Sequence, residues 1–211
     1  MSGIENYIGF VVTGIILNIT PGADTIYIIT RSISEGRKAG VYSVLGIITG
    51  ALCHTLLTAF GLSIILTKSI IAFTIIKWIG AAYLIFLGIQ YFLNKEKLQF
   101  NTSEQRESVN YKKVFKQGFL TNLLNPKVAF FYLSLLPQFI NPHNSNSPIP
   151  FILLGLTFIT TGTIWCLFLV YSASTISRTL RKNDTIKLYL QKITGLIFIG
   201  LGIKLLLSKL N

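Results

Sequence analysis

Hydrophobic residues in this chain do not alternate with polar ones but come in blocks, each about as long as a bilayer is thick. Six blocks stand out: Tyr7–Thr30, Ala39–Leu66, Ser69–Leu93, Val114–Ile140, Ile149–Ile176 and Leu188–Leu207. A helix of about 20 apolar residues crosses the hydrocarbon core of a membrane, so the pattern predicts an all-α integral membrane protein with six transmembrane helices. The second and fifth blocks contain no Asp, Glu, Lys or Arg. Blocks three and four are separated by the polar stretch Asn94–Lys113, which has no apolar period and reads as a linker. Blocks four and five are separated by Asn141–Pro150, rich in Asn, Ser and Pro, which reads as an exposed turn.

Two of the blocks are interrupted. The first carries Asn18-Ile19-Thr20-Pro21-Gly22-Ala23-Asp24 and the fourth carries Asn125-Pro126-Lys127. Proline removes a backbone donor and clashes with the preceding turn, and glycine adds backbone freedom. Pro21, Gly22, Asn125 and Pro126 are therefore expected to break helices one and four. The two breaks align: Gly14-x3-Asn18-x2-Pro21-Gly22 matches Gly118-x3-Asn122-x2-Asn125-Pro126 at an offset of 104 residues, and Lys77-x2-Gly80 matches Lys192-x2-Gly195 at 115. The loop Asn141–Pro150 has room for the 11 extra residues. The expectation is a single domain, 1–211, built as two inverted three-helix repeats, about 1–93 and 114–211, joined by the linker 94–113. In such architectures substrates bind near the midplane, where discontinuous helices of the two halves meet.

Composition agrees with a membrane setting: 51% of residues are hydrophobic and only 12% charged, against about a quarter charged in soluble domains. The net charge of +12 raises the question of nucleic acid, and its placement answers it. Arg31, Arg37 and Lys38 follow block one; Lys95, Lys97, Arg106, Lys112, Lys113 and Lys116 follow block three; Arg178, Arg181, Lys182, Lys187 and Lys192 follow block five. Around the second connection lie only Lys68 and Lys77, and none lies between Ile140 and Phe151. Short basic loops mark the cytoplasmic side, so the charge reads as topology, no nucleic-acid partner is expected, and both termini are placed outside the cytoplasm. Only Glu5 precedes the first block, whereas a signal peptide needs positive charge there. Gly46-x3-Gly50, with Gly80, Gly88, Gly195, Gly200 and Gly202, predicts close helix packing.

Asp24 is the one acid within the six blocks. In the first turn of a half-helix it can meet free backbone donors, or it can serve as an anion for a substrate ammonium or as a proton carrier; intramembrane acids are costly enough to make function the default. Lys127, at nearly the mirrored position, either snorkels to an interface or faces the same cavity. A zwitterion would then fit with its ammonium toward Asp24 and its carboxylate toward Lys127 and the half-helix N-termini. Asn18 and Asn122 satisfy backbone groups freed by the breaks or line the cavity. His54 is a packing residue or a proton relay. Thr20, Thr25, Tyr27 and Tyr132 read as helix packing, with cavity lining the alternative. Cys53 and Cys166 show no metal or CxxC spacing and read as buried small hydrophobes. The chain has no G-x-S-x-G, H-E-x-x-H or phosphate loop, so neither an enzyme nor a cofactor is expected.

At these residues the sequence resembles the LysE/RhtB family of amino-acid efflux permeases. The resemblance rests on Asn18-Ile-Thr-Pro21-Gly22-Ala-Asp24, Thr30-Arg31-Ser32, Gly36-Arg37-Lys38-Ala39-Gly40, Leu45-Gly46, His54, Gly61-Leu62, Gly80-Ala-Ala-Tyr83-Leu84 and Gly88. In the second half it rests on Gly118, Asn122, Leu124-Asn125-Pro126-Lys127 and Leu136-Pro137-Gln138-Phe139. Ala23 departs from it, since the family often repeats proline there. The resemblance implies a bacterial inner-membrane exporter of amino acids or their derivatives, driven by proton exchange, with the bilayer as its setting. Six helices make only a small cavity, which leaves room for a homodimer. The absence of a second acid points to neutral substrates of the threonine, homoserine or leucine type. Relatives of other function imply two alternatives: a heavy-metal cation exporter, for which Asp24, Cys53 and His54 are few ligands, or a carrier of thiol reducing equivalents through Cys53 and Cys166.

Overall fold

The computed structural model describes residues 3–62, 70–93, 109–141, 147–182 and 184–207. Within them the chain forms α1 (Tyr7–Ile19), α2 (Ala23–Ser34), α3 (Arg37–Leu57), α4 (Ile70–Leu93), α5 (Tyr111–Leu123), α6 (Pro126–Phe130), α7 (Ile149–Lys182) and α8 (Asp184–Leu207). α3 runs on through a π-helical turn at Thr58–Leu62, and α6 through a π turn at Phe131–Leu135 and a 3-10 turn at Leu136–Phe139. Among the described residues the only strand-like pairing is an isolated bridge between Ile4 and Ile140.

The helix breaks fall at the two prolines. α1 begins at Asn6, whose side chain accepts from the Gly9 amide, and ends at Thr20, because the next residue has no N–H to continue the ladder. α2 then departs at 50°. In the second half Asn125 caps α6 by accepting from the Lys127 amide at 3.0 Å, and Pro126 takes the first helical position, where its missing donor costs nothing. The bend there is 47°. α3 through Gly61 and α7 through Ala173 are each long and apolar enough to cross a membrane, and each bent pair is so if taken as one span. α4 and α8 have 24 residues each; their described apolar stretches, Thr74–Gln90 and Phe198–Leu207, are shorter.

Several boundaries differ from the hydrophobic blocks. α2, α7 and α8 run into polar sequence, to Ser34, to Lys182 and from Asp184, because backbone hydrogen bonding continues where hydropathy stops. α5 takes its first turn, Tyr111–Lys113, from the end of the expected linker, capped by Asn110. The rest of the linker, 94–108, lies outside the described residues, as do Lys68 and residues 142–146 of the loop. Lys77, counted with a connection in the sequence, is two turns inside α4 with its side chain buried.

α3 packs on α5 and α7, α7 on α1 and α2, and α4 on α8. Small residues make the closest approaches possible: a Cβ on Gly46 would strike the backbone of Phe115 and Phe119, one on Gly88 would come within 2.7 Å of the Gly195 carbonyl, and Gly195 meets Gly88 in return. Gly200, grouped with these in the sequence, has nothing within 4 Å. Two apolar clusters result. One holds Phe10, Leu17, Phe131, Tyr132, Phe158 and Phe198; the other holds Ile28, Val44, Ile47, Leu169 and Val170. Outward-facing residues are apolar as well, Ile8 at 78% and Ile71 at 74% exposed among them, as a lipid-facing surface requires.

Candidate functional site

Between the two clusters lies a cavity of about 50 Å³, lined at its polar positions by Asn18, Asp24, Asn122 and Lys127. Leu17 and Phe158 close it from one cluster, and Ile47 and Trp165 from the other. Four of the residues singled out in the sequence thus meet across a distance of about a hundred positions. The breaking residues Pro21, Gly22, Asn125 and Pro126 set up the wall without lining it.

Each broken end is completed by a side chain from elsewhere in the fold. In an unbroken helix the Leu17 carbonyl would accept from residue 21, which is proline and has no donor. The Lys127 ammonium supplies the missing bond, 3.2 Å to Leu17 O, with a second of 3.0 Å to Thr20 O. A cation at a helix C-terminus also meets the negative end of the dipole. Gly22 lets the lysine through: a Cβ there would lie 3.2 Å from Lys127 Nζ. At the second break Pro126 likewise leaves the Asn122 carbonyl without its i+4 donor. That carbonyl accepts from Asn125 N at 3.0 Å and lies 3.4 Å from His54 Nε2, which donates when its proton sits on that nitrogen. His54 stacks on Tyr132, ring centroids 5.6 Å apart, and does not line the cavity.

Asp24 stands in the first turn of α2, where the cap residue Gly22 offers no side chain. Its Oδ2 accepts from Asn122 Nδ2 at 2.8 Å. Its Oδ1 is buried without a hydrogen-bond partner, and so is Asn122 Oδ1. Asn18 donates to Thr161 Oγ1 at 3.1 Å and to the Phe158 carbonyl at 3.5 Å, tying the first break to α7. Among the described residues no ion pair joins Asp24 to Lys127. Two of the three N–H groups of the ammonium go to carbonyls, leaving one for the cavity.

Of the secondary candidates, only Thr25 lines the cavity. Thr20 bonds back to Ile16 O, Tyr27 donates to Val114 O at 2.8 Å, and Tyr132 is fully buried, accepting from Thr55. Cys166 reaches the cavity and Cys53 does not. Among the described residues no three His, Cys, Asp or Glu side chains converge as metal ligands. The contribution of α7, through Gly162, Thr163, Trp165 and Cys166, escaped the sequence reading. A signal for it existed: carried by 115 residues, the α3 lining positions Ile47, Ile48 and Ala51 fall on Gly162, Thr163 and Cys166.

Away from the cavity lining, two further groups of contacts join the first helices to later segments. In one group Tyr27 reaches Val114 O, Arg31 donates to Gln117 at 2.5 Å while paired with Glu35, and Lys38 lies over the Tyr111 ring. In the other, Glu5 N donates to Phe139 O, Asn141 N to Gly3 O, and Asn141 Nδ2 to Glu5 Oε1.

Residues 15–209 match the LysE type translocator family. The chain is 37% identical over 212 residues to YrhP, an uncharacterised membrane protein of Bacillus subtilis, covering 97% of this chain and 100% of the relative. It is 31% identical to an uncharacterised membrane protein of Vibrio cholerae, over 98% of each chain. It is 36% identical over 155 residues to a protein of Salmonella typhimurium named for homoserine and homoserine lactone efflux, covering 74% of each chain. No solved structure matches.

Proposed function

Because the chain belongs to the LysE-type translocators, we propose that it exports neutral amino acids of the homoserine, threonine or leucine type from the cytoplasm in exchange for protons. The observation that carries this reading is the buried, half-satisfied carboxylate of Asp24 at a helix break, facing a cavity shared by both halves of the chain. A substrate ammonium at Asp24 Oδ1 and Asn122 Oδ1 would satisfy two acceptors that otherwise carry a desolvation cost of about 1–3 kcal/mol each. The remaining N–H of Lys127 is a donor for the carboxylate. When no substrate is bound, the same Asp24 oxygen is where a proton would ride.

The packing supports two inverted three-helix halves. α3 packs on the broken pair α5–α6 as α7 packs on α1–α2, while α4 meets α8 and α3 meets α7, each across the axis such a repeat would have. Basic residues from α2, α3 and α5 gather at the end where Tyr27, Arg31 and Lys38 touch α5, which is the cytoplasmic end on charge grounds. At about 50 Å³ the cavity is well below the roughly 150 Å³ that takes a benzene-sized molecule. The conformation is thus a contracted one, and loading requires the cavity to widen.

The test is the intracellular amino-acid content of cells loaded with a dipeptide mixture, compared among strains lacking the protein, expressing it, and expressing Asp24→Asn. One or a few neutral amino acids should fall only with the intact protein. If no pool moves despite confirmed membrane insertion, amino-acid export is the wrong reading.

A further inference from the structure

At the matched offsets a few lining residues are alike, Asn18 with Asn122 and Ala51 with Cys166, and the others differ, Leu17 standing against Thr121, Ile47 against Gly162 and Phe158 against Ser43. Three of the differences bring a charge or an indole to the cavity. Asp24 corresponds to Val128, Lys127 to Ala23, and Trp165 to Gly50. The first two place one charge of each sign in the cavity, and the third places an indole there. On the other side Gly50 must stay small, since a Cβ would lie 2.8 Å from Asn122 Oδ1.

Trp165 is held by stacking on Phe168, centroids 5.3 Å apart. Its Nε1 is buried and has no hydrogen-bond partner. Indole N–H is a donor only, and a buried donor left unpaired is uncommon enough to call for an explanation. A second copy of the ring's bulk would not need the nitrogen. The cavity therefore holds unpartnered acceptors on Asp24 and Asn122, and unpartnered donor capacity on Lys127 and Trp165. That set complements one ammonium and one carboxylate on the same small molecule.

We propose that Trp165 is the carboxylate-recognition residue of the transport site, its indole N–H donating to one carboxylate oxygen of the substrate while Lys127 donates to the other. This rests on the amino-acid reading above and adds to it the group that selects an acid over the corresponding amine. Lys127 alone cannot make that selection well, because two of its hydrogen bonds are fixed on α1.

Uptake into inside-out vesicles separates the two readings. Homoserine, threonine and leucine are each offered to the wild-type protein and to Trp165→Phe, with the decarboxylated amine of each as competitor (3-aminopropan-1-ol for homoserine). In Trp165→Phe the amino-acid concentration for half-maximal uptake should rise about tenfold or more, the scale of one hydrogen bond to a charged group. Inhibition by the amine should barely move, and Trp165→His, which restores a ring N–H, should recover part of the loss. An unchanged amino-acid affinity, or equal weakening of acid and amine, overturns the assignment. Because a phenylalanine at this position could disturb folding, a second measurement leaves Trp165 in place. In Trp78→Phe it is the sole tryptophan, and its emission should shift on adding homoserine and stay fixed on adding 3-aminopropan-1-ol; the same response to both overturns the assignment. Wild-type protein that takes up none of the three amino acids overturns the parent reading and this one with it.

Discussion

Lys127 Nζ lies 3.2 Å from the carbonyl oxygen of Leu17, the acceptor that Pro21 leaves without a helical donor. A residue of the second broken helix thus closes the open end of the first. Removing the ammonium should cost more than a surface charge would. Lys127→Met leaves the Leu17 and Thr20 carbonyls without this donor and should destabilise the protein by about 1–3 kcal/mol, measured as a fall in the melting temperature of the purified protein in detergent. Lys127→Gln keeps a donor amide and should fall between Met and wild type. Equal melting of all three would show that the lysine does not hold the break.

Asn122 should matter through Asp24. Its amide holds Oδ2 of the carboxylate at 2.8 Å, and a leucine of similar size would leave that oxygen unpaired. Asn122→Leu is expected to weaken substrate affinity about tenfold or more while the protein still inserts. Transport kinetics in vesicles decide this; unchanged half-saturation would mean that Asn122 only packs against α3.

The glycines of the α3–α5 contact should be less tolerant than their helix propensity suggests. Gly46→Ala drives a methyl into the backbone of Phe115 and Phe119, and overpacking of this kind costs about 1–3 kcal/mol. Gly200→Ala, in open space within α8, should be neutral or stabilising by roughly 0.5–1 kcal/mol. Melting of the two variants side by side gives the comparison, and a harmless Gly46→Ala would contradict the close approach.

Cys166 offers a probe of occupancy. It lines the cavity, whereas Cys53 does not. In a Cys53→Ala background, a small maleimide should label Cys166 slowly, and a transported amino acid should slow it further. Labelling that ignores every substrate would place the binding site elsewhere. Retained transport after both cysteines are changed to Ala would set the thiol-redox alternative aside.

Pro21-Gly22 and Asn125-Pro126 announced both helix breaks, because a missing N–H acts locally and needs no partner to be legible. Asp24 was legible for a similar reason: a lone carboxylate in an apolar block is conspicuous wherever the chain goes. Trp165 was not, since a tryptophan in an apolar helix looks the same whether its nitrogen meets lipid, a carbonyl or a cavity. His54 lay between the two. A histidine in an uncharged block left packing and proton relay both open, and only the fold shows its ring beside the carbonyl that Pro126 orphans.

The sequence by itself determined the all-helical, membrane-length blocks, the two places where helices must break, and the one acid that has to be accommodated among them. These follow from hydropathy, from the chemistry of proline, and from the cost of burying charge, all properties of single residues and short windows. Only the tertiary structure decided that Lys127 serves the α1 carbonyls rather than an ion pair with Asp24, that Asn122 holds the carboxylate, and that α7 brings Trp165 and Cys166 to the same cavity. Those choices depend on which donor lies within about 3 Å of which acceptor, a relation between residues a hundred positions apart that packing alone creates.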